Sequence, residues 1–107
     1  MVNGLLSSYS TSTTPYVPTI NLTGSGLTSI TQISWTCTNP NGTSCVGSPY
    51  VWTSANWSGK FTQASDTAAS VTPSLLVVGD PIGTYTWSAT FSGAGQSVTR
   101  TFTVTKN

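Results

Sequence analysis

The side chains that could perform acid–base or nucleophilic chemistry are few in this 107-residue chain. It has no His, and its only side-chain carboxylates are Asp66 and Asp80. Nucleophilic catalysis by Ser or Thr needs a base within hydrogen-bonding reach, usually His. Both Asp residues lie in turn contexts, Ala-Ser-Asp-Thr and Gly-Asp-Pro, where Asp commonly bonds to the local backbone. The residues therefore predict a protein that is not an enzyme.

Metal and phosphate sites also lack the residues that they need. Two isolated Asp residues make a poor calcium cage, which requires about six to eight oxygens, and two Cys are too few for a zinc site. The Gly24-Ser-Gly26 and Gly93-Ala-Gly95 sequences are typical of hairpins, because no helical pattern follows either of them. We therefore expect no metal and no cofactor.

The two cysteines, Cys37 and Cys45, are separated by Thr-Asn-Pro-Asn-Gly-Thr-Ser. This spacing suits a disulfide across a loop or across the open end of a hairpin. The alternative is a pair of buried free thiols. A disulfide would indicate that the protein matures in an oxidising place, such as outside the cell.

Three aromatic residues within eight positions, Tyr50, Trp52 and Trp57, form a candidate carbohydrate site. Sugar-binding sandwiches present exposed aromatic faces, and Trp57 lies in Ser54-Ala-Asn-Trp-Ser-Gly59, which is typical of a loop. Trp52 and Trp57 are the candidate glycan-binding pair. The alternative is that Trp52 packs in the core and Trp57 covers one end of the fold, because a small sandwich needs large aromatic residues to fill it.

Composition argues against two classes of partner. Three basic and two acidic residues give a net charge of +1, whereas 21 Thr and 17 Ser make up more than a third of the chain. Binding to nucleic acid or to an anionic membrane depends on clustered Lys and Arg, and no apolar run approaches the ~20 residues of a membrane span. We expect neither partner.

Met1 is not followed by the pattern of a secretory signal peptide. We therefore expect either that the chain is made in a cytoplasm as it stands or that Met1 replaces a removed signal.

Alternation of apolar and hydroxyl-bearing residues predicts an all-β fold. The clearest run has Tyr85, Trp87 and Phe91 on one face, and it is followed by the hairpin loop Ser92-Gly-Ala-Gly-Gln96 and a return strand. About seven short strands separated by turn signals describe an antiparallel β-sandwich over residues 15–107. The predicted strands lie near 19–23, 29–37, 50–52, 60–63, 69–78, 84–91 and 98–105, with the fifth interrupted at Pro73.

The same alternation predicts which side chains fill the core. Arg100 breaks the inward pattern of the last strand. We therefore expect a sheet edge or a strand end there, with the guanidinium group reaching solvent or pairing with an Asp. The residues predicted to point inward are Ile33, Trp35, Tyr85, Trp87, Ala89, Phe91, Phe102 and Val104.

The approach to the sixth predicted strand reads Asp80-Pro-Ile-Gly83-Thr-Tyr85-Thr-Trp87. It resembles the Asp-x-Gly-x-Tyr-x-Cys approach to strand F of immunoglobulin-like (Ig-like) folds, with one extra residue between Asp and Gly. The resemblance to bacterial and phage Ig-like modules covers about residues 16–105, including the final hairpin GTYTWSATFSG and TRTFTVT. It implies that the Tyr85 hydroxyl bonds to an upstream backbone group. Because Trp87 replaces the cysteine, the usual disulfide between the sheets is excluded.

Residues 1–14 differ from the rest of the chain, since they are rich in Ser, Thr, Asn and Gly and show no sustained period. They predict an extended N-terminal arm that is either disordered or laid onto a neighbouring subunit. Fourteen extended residues reach up to about 45 Å and could add a strand to a sheet edge of the next subunit. We expect Leu5, Leu6 and Tyr9 to be the partner-binding residues of this arm.

A nearly uncharged surface rich in threonine favours a role in assembly, because burying charge is what makes association costly. The chain also resembles phage capsid decoration (cement) proteins and other virion surface proteins. This resemblance implies an Ig-like subunit bound to the major capsid protein or to identical neighbouring subunits, as a homo-oligomer or within a lattice, on a virion surface or otherwise outside cells. The alternatives are an Ig-like module of a pilus, surface layer or adhesin, and a carbohydrate-binding module.

Overall fold

The computed structural model describes residues 2–107, which form nine β-strands in two sheets that pack together. The only helical element of this range is a 3-10 turn at Leu27–Ser29, and no helix in it is long and apolar enough to cross a membrane. The prediction of an all-β fold with two sheets packed together is therefore confirmed. The strands are β1 (Val2–Asn3), β2 (Ser8–Thr11), β3 (Ile20–Gly24), β4 (Gln32–Thr38), β5 (Tyr50–Thr53), β6 (Phe61–Ser65), β7 (Ala68–Val71), β8 (Gly83–Gly93) and β9 (Gln96–Lys106).

The first sheet has the order β1-β3-β7-β6, and the second has the order β2-β9-β8-β4-β5. All neighbouring strands are antiparallel except β2 and β9, which are parallel. The longest pairing joins β8 to β9, with Gly83 opposite Lys106 and Gly93 opposite Gln96. The strand predicted over 69–78 ends at Val71, before Pro73, because proline has no N–H to donate to the sheet.

The core is built from the inward-facing side chains of both sheets, as the alternation predicts. The first sheet contributes Ile20, Leu22, Phe61 and Val71, each of which is at most 5% exposed. All eight residues predicted to point inward are buried, namely Ile33, Trp35, Tyr85, Trp87, Ala89, Phe91, Phe102 and Val104. The two-residue alternation in the sequence therefore matches the alternation of inward-facing and outward-facing side chains along these strands.

Arg100 lies in a part of β9 that forms a sheet edge, because β2 pairs only with the later residues of β9, from Thr103 onward. The Arg100 Nε donates a hydrogen bond of 2.9 Å to the carbonyl of Val2 in the other sheet. The edge position agrees with the prediction. The partner is a backbone carbonyl rather than an Asp, since β1 brings that carbonyl to the open edge.

The N-terminal segment lies on the sandwich, whereas the sequence predicts an arm that extends away from a sandwich beginning at residue 15. Val2 pairs with Gly24 at the end of β3, and β2 runs beside the end of β9. Between them Gly4 has a φ of 105°, and a Cβ there would meet the carbonyl of Asn21, so glycine allows the chain to cross between the sheets. The strand count is therefore nine rather than about seven, because β1 and β2 are too short to show a period.

Candidate functional site

Cys37, at the end of β4, is bonded to Cys45, and their Cα atoms lie 5.3 Å apart. The Cys45 N–H donates to the Cys37 carbonyl at 2.9 Å, and the Asn39 N–H donates to the Thr43 carbonyl at 2.7 Å. The disulfide therefore closes a short, internally hydrogen-bonded loop that leads from β4 toward β5. The predicted pairing is confirmed.

An aromatic groove of about 420 Å³ opens between the second sheet and the chain segment that follows β7. Its lining includes four aromatic residues of the second sheet and several residues that lie outside that sheet, namely Trp35, Tyr50, Trp52 and Trp87, and Val17, Gly59, Lys60, residues 72–74 and Val77. Residues 72–74 directly follow β7 of the first sheet, which ends at Val71. A concave, mostly apolar surface with a few polar groups is typical of ligand-binding sites.

Strand register brings the four aromatic rings of the groove together. Trp35 in β4 lies opposite Tyr50 in β5, and Trp52 follows two positions later on the same face. The Tyr50 ring stacks on Trp87 with 5.9 Å between centroids, and the Trp35 and Trp52 rings lie 5.0 Å apart. Because these rings hold one another in place, the aromatic side of the groove is preformed.

Two indole N–H groups of the groove residues lack an acceptor. The Nε1 atoms of Trp35 and Trp87 are buried and have no hydrogen-bond partner within residues 2–107, and the side chains are only 1% and 4% exposed. The Tyr50 hydroxyl, in contrast, donates to the Val46 carbonyl at 2.6 Å. Leaving a buried donor unpaired costs about 1–3 kcal/mol, so each of these two indoles lowers the stability that the packing of its ring provides.

Lys60 is the residue that brings formal charge to the groove. Its Nζ lies 5.8 Å from the centroid of the Trp52 ring, and its backbone carbonyl accepts a hydrogen bond of 2.8 Å from the Thr72 N–H. Neither Asp66 nor Asp80 is among the lining residues. Within residues 2–107, the lining of the groove therefore combines aromatic rings with one positive charge and includes no carboxylate.

The two carboxylates bond to donors in nearby turns. The Asp66 carboxylate accepts from the Thr28 hydroxyl at 2.7 Å and from the Gly26 N–H at 3.1 Å. These bonds, that to Thr28 first, hold the pKa of Asp66 below its usual range. The Asp80 carboxylate accepts from the Val77 N–H at 2.9 Å. Asp80 therefore has the local backbone bond that its turn context predicts, whereas Asp66 bonds to a hydroxyl and a backbone N–H about 40 residues earlier in the chain.

Trp57 lies outside the groove, although the sequence groups it with Trp52. Its half-buried ring packs edge-on against Phe61, with centroids 4.9 Å apart, in the turn between β5 and β6. The groove instead combines Trp52 with Trp35 and Trp87, which the sequence places only in the core. Alternation correctly identifies these side chains as buried, but it does not show which of the buried side chains border a groove.

The three predicted arm residues have different surroundings. Leu5 and Tyr9 pack against the core, and the Tyr9 ring lies edge-on to Phe102 with 5.5 Å between centroids. The Tyr9 hydroxyl accepts a hydrogen bond of 2.9 Å from the Leu6 N–H. The Leu6 side chain is 62% exposed. Of the three, Leu6 is therefore the side chain that is most available to a partner.

The outer face of the second sheet carries no charged side chain on its three central strands, and neighbouring hydroxyls bond across β8 and β9 at 2.9–3.2 Å. These outward residues alternate with the buried ones in β4, β8 and β9. We call this surface the hydroxyl face: it comprises Gln32, Ser34, Thr36, Thr38, Thr84, Thr86, Ser88, Thr90, Thr99, Thr101, Thr103 and Thr105.

Comparison with protein-family models, with curated proteins and with solved structures finds no match to this chain.

Proposed function

We propose that this protein is a non-enzymatic, Ig-like subunit that decorates the surface of a virion capsid or a similar protein lattice. The observation that carries the proposal is the hydroxyl face, which spans three strands without a charged side chain. Many of its hydroxyls already bond to each other. Such a surface can pack against another protein without burying an unpaired charge, which is the most costly part of desolvation.

The strand order supports the Ig-like part of the proposal. Constant-type Ig domains have strands A, B, E and D in one sheet and C, F and G in the other. The order β1-β3-β7-β6 corresponds to A-B-E-D, and β9-β8-β4 corresponds to G-F-C, with β5 added beside C. In addition, the Tyr85 hydroxyl donates a hydrogen bond of 2.7 Å to the carbonyl of Pro81, as the resemblance implies for a tyrosine corner.

The partner in this proposal is the major capsid protein or an identical neighbouring subunit. Because β1 and β2 occupy edges of the chain's own sheets, the proposal assigns the lattice contact to the hydroxyl face and not to an arm. The Cys37–Cys45 disulfide is consistent with a mature protein on a virion surface or elsewhere outside a cell.

The test is co-sedimentation of the full chain with shells assembled from the major capsid protein of the same genome. In the test variant, Thr86→Lys and Thr101→Lys add two charges to exposed positions of the hydroxyl face. In the matched control, Ser54→Lys and Ser58→Lys add the same charge to exposed positions in the turn between β5 and β6. We expect the first variant to bind at least about tenfold more weakly and the control to bind normally.

The salt dependence provides a second measurement. A contact with few ion pairs has little electrostatic attraction to be screened, so binding of the unaltered chain should be nearly the same at low and high ionic strength. A folded hydroxyl-face variant that sediments as well as the unaltered chain would exclude this face as the contact. An unaltered chain that never sediments with the shells would refute the lattice role.

A further inference from the structure

We infer that Arg100 prevents the side of β9 that faces away from β8 from pairing with the same side of β9 in a second copy of this chain. This inference goes beyond the proposed lattice contact, because it concerns a strand edge and not the hydroxyl face. β2 pairs with β9 only from Thr103 to Lys106. Within residues 2–107, the earlier part of β9 has a neighbouring strand only in β8. We call the uncovered side of residues 96–102 the open edge.

The backbone groups of the open edge are located by the hydrogen bonds of the covered part of β9. The Thr103 N–H donates to the Ser7 carbonyl at 3.1 Å, and the Asn107 N–H donates to the Thr11 carbonyl at 2.9 Å, so both point away from β8. Along a strand, the backbone groups of every second residue point the same way. The N–H and C=O groups of residues 97, 99 and 101 therefore face the open edge, where they can pair with another strand.

The open edge is complementary to a second copy of itself. When two such edges meet antiparallel about a two-fold axis at Thr99, the two Thr99 residues exchange a pair of hydrogen bonds, and each Ser97 lies opposite a Thr101. The Thr and Val residues of this stretch favour extended backbone. Arg100 is the only charged residue between positions 96 and 105. The chain therefore has its one charge of this run where β2 does not cover the strand.

The guanidinium group of Arg100 occupies an acceptor that a second strand would need. Its Nε donates to the Val2 carbonyl at 2.9 Å, and its Nη1 donates to the Thr99 carbonyl at 3.5 Å. The Val2 carbonyl belongs to β1, which is the edge strand of the first sheet, so Arg100 connects the edges of both sheets. A pairing strand has to compete with Arg100 for the Thr99 carbonyl.

Pairing would also bring two positive charges close together. In the two-fold arrangement, Arg100 of one copy is the diagonal neighbour of Arg100 of the other, and diagonal neighbours on paired strands lie about 7–8 Å apart. Within residues 2–107 the guanidinium group bonds to backbone carbonyls and to no carboxylate, so no bonded acid offsets the repulsion or the loss of water. A charge on an edge strand is a common means of preventing edge-to-edge association.

The experiment is sedimentation velocity of the full chain alone, over a range of concentrations. The unaltered chain should be a monomer. Arg100→Thr removes the charge and should dimerise at least about tenfold more tightly than the unaltered chain. Lys60→Thr is the matched control, because it makes the same change of charge at an exposed position outside β9 and should leave the chain monomeric. Arg100→Lys keeps a charge on the edge and should also stay monomeric.

Two further measurements show whether the association uses the open edge. In the Arg100→Thr dimer, the amide protons of Ser97, Thr99 and Thr101 should exchange with deuterium oxide more slowly than in the unaltered monomer, because they become donors in the new strand pair. Adding Thr99→Pro to Arg100→Thr removes a central donor of the open edge without removing a bond to β8, so it should restore the monomer. Circular dichroism shows whether each variant keeps its β structure.

Several results would overturn the inference. One is an Arg100→Thr chain that is folded and monomeric at every concentration, and another is a Lys60→Thr chain or an unaltered chain that dimerises just as tightly. Dimerisation of the variant that also carries Thr99→Pro, or unchanged amide exchange at the open edge, would assign the contact to another surface.

Arg100→Gln covers the case in which Arg100→Thr does not fold, because its amide can still donate to the Val2 carbonyl without carrying a charge. It should dimerise as well, and a folded monomer would again contradict the inference. These measurements contain no capsid shells, and co-sedimentation with shells is carried out with Arg100 in place. The two proposals therefore fail independently.

Discussion

The placement of the N-terminal segment predicts different effects for two truncations that are close in the sequence. Val2→Ala removes methyl groups from a side chain that is 3% exposed in the core, and Leu6→Ala truncates a side chain that is 62% exposed. A disordered or outward-reaching arm would tolerate both changes equally. The structure predicts that only Val2→Ala destabilises the fold.

The expected magnitude follows from the burial of Val2. Each buried methyl or methylene group contributes about 0.8 kcal/mol, so losing two costs about 1.6 kcal/mol before any cavity is counted. Val2 also lines a cavity of about 140 Å³ together with Ile30 and Phe91, and this cavity grows when the methyl groups are removed. We therefore expect Val2→Ala to cost about 1.5–2.5 kcal/mol. The bond from Arg100 to the Val2 carbonyl is retained, since it involves the backbone.

Urea unfolding followed by tryptophan fluorescence measures the difference. The free energy of unfolding falls by about 1–2 kcal/mol per molar urea for a small domain. The urea concentration at which half of the Val2→Ala protein is unfolded should therefore be lower by roughly 1 M or more. Leu6→Ala, as the matched control, should stay within about 0.5 kcal/mol of the unaltered protein. A Val2→Ala midpoint that coincides with that of the unaltered protein would refute the placement of β1 in the first sheet.

Other perturbations test the disulfide, the core and the tyrosine hydrogen bond. Replacing Cys37 and Cys45 by Ala should cost about 2–3 kcal/mol for so short a loop. Mass spectrometry of alkylated, unreduced protein should find no free thiol, and two labelled cysteines would contradict the bond. Trp87→Ala should cost about 3–5 kcal/mol in urea unfolding, and a cost below about 1 kcal/mol would contradict its buried position. Burial, with a smaller effect of Asp80, raises the pKa of Tyr85 above its usual value of 10.0. The folded state then disfavours the ionised phenol. The contribution of Tyr85 to the free energy of unfolding should therefore be fully present below pH 10 and should be lost as the pH rises from 10 toward the folded-state pKa. Tyr85→Phe should flatten this alkaline decline in urea midpoints, and an unchanged decline would assign it to another group.

Local pattern in the sequence is sufficient for the long strands and their buried faces. The alternation around Trp87 and Phe102 predicts both strands of the last hairpin, because side chains of a strand point to opposite faces with a period of two. The spacing of Cys37 and Cys45 likewise favours their disulfide, since the two residues are close in the chain. The resemblance around Tyr85 implies its backbone hydrogen bond, which is formed within four residues.

The strands of the N-terminal segment depend on tertiary structure, because their partners are distant in the sequence. Val2 pairs with Gly24, and Ser8 pairs with Thr103 near the other end of the chain. Segments of two and four residues are too short to carry a recognisable period. Their inclusion in the sheets depends on edges that exist only once the rest of the sandwich has formed.

The aromatic groove also depends on tertiary structure. The sequence alone predicts that Trp35 and Trp87 face the interior, and it groups Trp52 with Trp57 because those two are near each other in the chain. Whether a buried residue also borders a groove depends on what packs opposite it, and here residues 72–74, just beyond the end of β7 at Val71, line the groove together with these rings. Local alternation determines the side to which a ring points, while the packing of the two sheets determines what lies opposite it.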